Sequence, residues 1–193
     1  MISSIFLIIS LLLAISFHEA AHAWTANRLG DPTARLSGRL TLNPLAHLDP
    51  IGTLALIFIH IGWGKPVPVN PNNLKHPSWY NFLIALSGPA VNLTLSLIAA
   101  VVLHFTGNIL TLADFLSTFI ALNIILMVFN LLPIPPLDGS KIWHLVLSNQ
   151  NYYALEQMGP FILLGVLVFS YSFGGFLMNF IGTATQYIFN LIT

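Results

Sequence analysis

The chain contains no cysteine. Disulfides and thiolate metal sites are therefore excluded, and any metal must be held by histidine and carboxylate. Charge is nearly as scarce: only 6% of the 193 residues are Asp, Glu, Lys or Arg, against roughly 25% in a soluble domain. Six basic and six acidic side chains cancel, so the chain has no electrostatic footprint for nucleic acid. The strict apolar–polar alternation of a membrane β-barrel is missing too. What remains is apolar, with 56% hydrophobic residues and a mean hydropathy of +0.83. Long uncharged runs must satisfy their backbone groups internally, which predicts spanning helices. The chain reads as an all-α polytopic membrane protein, multi-pass in the cell membrane, with its partner the lipid bilayer and a single membrane-embedded domain over residues 1–193.

Three runs approach the ~20 residues that a span requires. They are Ile2 to about Trp24, Trp79 to about Thr106, and Ile109 to about Leu132. The first has no basic leader, and a His-Glu pair follows it where a signal-peptide cleavage site would lie, so it reads as a retained span. Residues 33–49 alternate loosely between apolar and polar, which predicts a short β-hairpin or extended loop at the membrane surface. Residues 51–64 are apolar but too few to cross, and read as a re-entrant segment on the cytoplasmic side. The Pro- and Asn-rich stretch 65–77 is an extended loop. Pro133, Pro135 and Pro136 stop the third span. A short helix and loop follow over 141–152. Residues 157–193 carry no charge and predict either two short spans broken near Gly174-Gly175, or one span and an interfacial helix. The expected architecture is a three-span core over about 1–145 with one or two C-terminal spans.

The polar residues inside this apolar frame are costly to place in lipid and for that reason informative. His18-Glu19-Ala20-Ala21-His22 has the H-E-x-x-H spacing. Positions i and i+4 share a helix face, so both imidazoles can reach one zinc ion, while Glu19 stands beside it as a candidate base for a water. A catalytic zinc needs a third protein ligand and an open position. All six Lys and Arg residues lie in three stretches, 28–39, 65–75 and at 141. If segment 51–64 does not cross, all three fall on one side, which the positive-inside rule makes cytoplasmic, with the N-terminus extracytoplasmic. In that topology Asp138 lies at the same end of the bundle as His22, and an oxygen ligand completes a His₂-carboxylate set. The other reading of Asp138 is a turn or N-cap residue, since Asp-Gly favours turns.

These residues carry a resemblance. His18-Glu19-Ala20-Ala21-His22 in a first span, followed by Asn130-Leu131-Leu132-Pro133-Ile134-Pro135-Pro136-Leu137-Asp138-Gly139 at the end of a later one, resembles the site-2 protease family of intramembrane zinc metalloproteases. The second stretch matches the family pattern N-x-x-P-x-x-x-L-D-G at every fixed position, and Gly88-Pro89-Ala90-Val91-Asn92 resembles its small-residue motif. The resemblance implies one Zn²⁺ per chain held by His18, His22 and Asp138, with Glu19 as general base. It implies cleavage of a transmembrane helix in single-span membrane-protein substrates, near the cytoplasmic face. No PDZ or CBS domain is present, so the chain is expected to be a minimal member. A homo-oligomer is compatible with this reading.

The remaining polar residues divide by context. Asn92, mid-span, is a candidate donor to the transition-state oxyanion or else a hydrogen bond between helices. Asn130 is a candidate substrate contact, or a cap on the broken helix. His47 and Asp49 read as a surface turn, and His60, His104 and His144 as interfacial. Three other functions compete, one of them a zinc hydrolase of soluble substrates at the membrane surface, which the buried position of the motif disfavours. A proteolytically inactive binder of transmembrane segments would have no need of Glu19. An ion pathway would distribute acids along the membrane depth, whereas Glu19 and Asp138 converge near one face.

Overall fold

The computed structural model describes residues 2–49, 52, 64–107 and 109–193. Helix α1 (Ile2–Arg28) contains no glycine or proline to interrupt it. It stops at Gly30, whose φ of 107° a side chain would oppose, followed by Pro32. A single helical turn, α2 (Thr33–Leu36), follows. Helix α3 (Pro77–Thr106) begins with proline in its first turn, where the missing N–H has no helical partner to lose. Helix α4 (Leu110–Asn130) runs up to the proline-rich segment. α1, α3 and α4 are long and apolar enough to cross a membrane, and they pack against one another in a three-helix bundle.

Small residues set the spacing. Ala14, Ala23 and Ala26 of α1 are fully buried, and Ala85, Gly88, Ala99 and Ala100 of α3 are buried as well. With so little side chain between them, backbones approach closely, which is how helices associate where lipid already solvates apolar surface. Larger side chains fill the rest of the interior, with Ile120, Ile124 and Met127 of α4 packed with Leu177 and Ile181.

The C-terminal part comprises α5 (Trp143–Val146), α6 (Asn149–Gln157), α7 (Gly159–Ser172) and α8 (Phe176–Ile192). α6 and α7 meet at 58° and together make a fourth candidate span, bent at its break. Gly174 and Gly175 separate α7 from α8 with φ of 79° and 71°, a backbone that only glycine adopts without strain. Over 157–193 the chain forms two helices broken at this glycine pair, with α8 lying against α4.

Three expectations need correction. Residues 33–49 form no hairpin. Asp31 Oδ1 accepts the Thr33 N–H at 3.1 Å and the Thr33 hydroxyl at 2.5 Å, and these local bonds fix the chain at the start of a helical turn that the weak alternation cannot oppose. Only 39–43 keeps the extended loop, and among the described residues the one β-contact is an isolated antiparallel bridge from Leu48 to Gly64. His47 does sit at a turn, after the 3-10 helix Pro44–Ala46, but that turn faces inward: His47 is fully buried with Nε2 2.8 Å from the Thr41 carbonyl. His144 is buried rather than interfacial, because α6 folds back and stacks Tyr152 on it at 4.0 Å and 4°. The re-entrant segment expected over 51–64, with His60, lies outside the described residues apart from Gly52 and Gly64.

Candidate metal centre

The H-E-x-x-H residues lie about 16 residues along α1, towards its C-terminal end. Helical spacing places His18 and His22 on the face packed against α3, where both are buried, and leaves Glu19 half-buried beside them. Their Nε2 atoms are 3.0 Å apart. The broken end of α4 brings the third group. After the prolines the chain enters a 3-10 turn, Asp138–Ile142, which packs on α3. Asp138 Oδ2 stands 3.1 Å from His18 Nε2 and 3.4 Å from His22 Nε2. Among the described residues this is the one cluster of three His or carboxylate groups with ligand atoms within 4.8 Å of one another.

Hydrogen bonds on the far side of each ring decide what these atoms offer. His22 Nδ1 lies 2.7 Å from the Ile84 carbonyl, which only accepts, so Nδ1 carries the hydrogen. His18 Nδ1 lies 2.5 Å from Asn92 Oδ1. With hydrogen on Nδ1, each ring turns its Nε2 inward. Asp138 Oδ2 is buried with no hydrogen-bond partner. Three acceptor atoms therefore face one another with no donor between them, an arrangement that asks for a cation. Ligands ~2.0–2.2 Å from zinc at tetrahedral angles lie roughly 3.3 Å apart, so the observed separations fit that ion.

The surroundings hold this geometry. Gly88 of α3 sits against both rings. A Cβ there would stand 2.5 Å from His18 Cε1 and 2.6 Å from His22 Cε1. Gly139 follows Asp138 for the same steric reason, since its Cβ would fall 2.2 Å from the Leu131 carbonyl oxygen. Glu156 of α6 clamps the 3-10 turn from outside, pairing with Lys141 and accepting from the Ser140 hydroxyl at 3.2 Å. Over the site, Lys65 donates to the His47 carbonyl at 2.9 Å, and the Arg39 guanidinium reaches the Lys65 carbonyl. A Cβ on Gly64 would come within 4.0 Å of Glu19 Oε1.

The two asparagines take different places. Asn92 is fully buried, and its Nδ2 is directed to Asn123 Oδ1 at 2.8 Å and to the Ala14 carbonyl at 3.5 Å. Asn130 is half-buried at the end of α4, with Nδ2 3.0 Å from the Leu126 carbonyl. Sequence reasoning passed over Asn123, Ser140 and Glu156. A lone amide within the apolar run 119–129 was the one sequence signal at Asn123, and it does not say which way the amide faces.

Comparison with known proteins identifies the family. The family model described as Peptidase family M50 matches residues 6–111 and 107–171. The protein named "Putative zinc metalloprotease YwhC" of Bacillus subtilis is 42% identical over 146 residues, covering 71% of this chain and 67% of that protein. "Putative zinc metalloprotease Rip2" of Mycobacterium tuberculosis is 33% identical over 164 residues, covering 81% of this chain and 63% of that protein. The chain thus spans about two thirds of the length of these relatives. No solved structure matches it. The matched residues include both histidines, Glu19 and the Asp138 turn, and the chain belongs to peptidase family M50, the site-2 protease family of zinc metalloproteases.

Proposed function

We propose that this protein hydrolyses a peptide bond within or near the transmembrane helix of a single-span membrane-protein substrate, with His18, His22 and Asp138 holding one zinc ion and Glu19 as general base. The observation that carries the reading is the meeting of three acceptor atoms within 4.8 Å, one of them a buried carboxylate oxygen without a partner. When bound, the ion supplies Lewis-acid polarisation of a carbonyl and makes water a stronger acid.

The chain's own groups do the rest. His18 and His22 are oriented by Asn92 and the Ile84 carbonyl, so little reorganisation is needed on binding. Glu19, one position round the helix from His18, takes a proton from the attacking water and returns it to the leaving amine. Asn130 has one amide hydrogen on Leu126 and a second to offer the developing oxyanion. Arg28, Lys75 and Lys141 flank the end of the bundle that carries the site, which favours a cytoplasmic position for it and an extracytoplasmic N-terminus. At helical rise His18 lies roughly 24 Å along α1, so the reaction takes place just inside the membrane and water reaches it from the cytoplasm.

Cleavage of a panel of single-span reporters in membranes tests the reading, comparing wild type with Glu19→Gln. That change keeps the shape and the ligands but removes the base. Wild-type cleavage that a zinc chelator stops and the variant lacks is the expected result. Equal cleavage by both proteins would remove Glu19 from the mechanism.

A further inference from the structure

Asn123 lies in the middle of α4, is fully buried, and belongs to no recognisable motif. Its amide orientation can be read from one end. The Phe119 carbonyl only accepts, so the Asn123 atom 2.8 Å from it is Nδ2. Oδ1 of Asn123 therefore faces Asn92 and receives the Asn92 Nδ2 hydrogen at 2.8 Å. Asn92 Oδ1 is left for His18, 2.5 Å from Nδ1. His18 Nδ1 must then carry the hydrogen, and Nε2 keeps its lone pair for the ligand cluster. A backbone carbonyl on one span thus fixes, through two amides on two spans, the tautomer of a histidine on a third. His22 obtains the same result directly from the Ile84 carbonyl at 2.7 Å, with the Ser87 hydroxyl 3.4 Å from the same Nδ1.

We infer that Asn123 is a positioning residue for zinc binding, which holds the Asn92 amide in the one orientation that keeps His18 in its Nδ1–H form. The inference rests on the proposed zinc site. An amide offers an acceptor on one side and a donor on the other. Freed from Asn123, the Asn92 amide can rotate by half a turn and present Nδ2 to His18 Nδ1. That orientation favours the tautomer with hydrogen on Nε2, pointing at the ligand cluster and unable to bind metal. The Ala14 carbonyl cannot prevent this, because at 3.5 Å from Asn92 Nδ2 it holds the amide weakly.

The test is zinc affinity of the full chain in detergent, measured by competition with a chromophoric chelator. Asn123→Leu is expected to weaken binding by about 10- to 100-fold, the range for losing an outer-shell partner. Nitrogen NMR of the metal-free protein should then find the His18 hydrogen moved from Nδ1 to Nε2. The double variant Asn92→Asp with Asn123→Leu should recover most of the affinity. A carboxylate has only acceptor oxygens, so it holds the Nδ1–H form whichever way it turns. Loss of packing at position 123 would persist in the double variant and show no recovery. Wild-type affinity in Asn123→Leu, or no recovery in the double variant, overturns the inference. If Asn123→Leu does not fold, Asn123→Val and its double variant read the same quantities with less bulk. His18→Ala in the same assay separates the two levels: unchanged zinc binding there overturns the ligand assignment itself.

Discussion

Gly88 and His18 are in direct apposition across the α1–α3 interface, with room between them for a hydrogen and nothing larger. A Cβ at position 88 would lie 2.5 Å from His18 Cε1 and 2.6 Å from its Nε2. Gly88→Ala must therefore push the rings off their positions. A displacement of about 1 Å at a reacting centre costs roughly 100-fold in rate. The expected outcome is loss of bound zinc, read by metal analysis, together with a fall in reporter cleavage of that order.

Gly139→Ala acts on the third ligand by a different route. Its added methyl would meet the Leu131 carbonyl oxygen at 2.2 Å, and a backbone atom inside a tight turn cannot move aside. Overpacking of this kind costs about 1–3 kcal/mol. The melting temperature should fall even without metal, and the stabilisation that added zinc gives the wild type should shrink. Unchanged melting of the metal-free variant would mean that the turn relaxes more easily than this geometry implies.

Glu156 is far along the sequence from Asp138 yet holds its turn through Lys141 and Ser140. Both ionic partners are partly shielded from solvent, so the pair is worth more than an exposed one, which contributes up to ~1 kcal/mol. Glu156→Ala is expected to lower zinc affinity several-fold, on the order of 1 kcal/mol, with little change in Glu19-dependent chemistry once zinc is saturating. A loss of cleavage that saturating zinc cannot restore would count against a purely positional role.

The link between the end of α1 and the 70–73 loop should give the protein an acid limit. Burial pushes the Asp31 carboxyl up, but hydrogen bonds from Thr33, the Asn73 amide and the Asn70 N–H outweigh it and hold the pKa below the ordinary value. A carboxylate with a depressed folded-state pKa contributes stability that is fully present above its unfolded value of about 3.9. That contribution disappears as pH falls towards the folded-state value. Melting temperatures in detergent should drop as pH is taken from 6 to about 3. Asp31→Asn should be less stable at pH 6 by roughly 1–3 kcal/mol and should show a flatter profile. A parallel profile for the two proteins would place the acid limit elsewhere.

Much of this was legible in the sequence, for physical reasons that can be named. Scarcity of charge requires spans, and the i, i+4 spacing of His18 and His22 requires a shared ligand face whatever the tertiary structure. Asp138 could be found because three prolines must end a helix and the basic residues mark the side on which it ends. Asn123 could not, because nothing in an apolar run says which way one amide faces. The 33–49 segment was misread because a single side chain, Asp31, ties Thr33 down by short-range hydrogen bonds that outweigh a loose alternation over many residues. His144 was misread because its burial depends on Tyr152, which only the return of α6 brings to it.

The path from the Phe119 carbonyl to His18 has a consequence for biosynthesis. His18 and His22 leave the ribosome early, Asn92 some seventy residues later, and Asn123 and Asp138 later still. A partly inserted chain therefore holds two histidines whose ring hydrogens are not yet fixed and no carboxylate to join them. With Asp138 as the proposed third ligand, the cutting centre is completed only after the third span has entered the bilayer and docked, so on that assignment a nascent chain still beside other newly made membrane segments is unarmed.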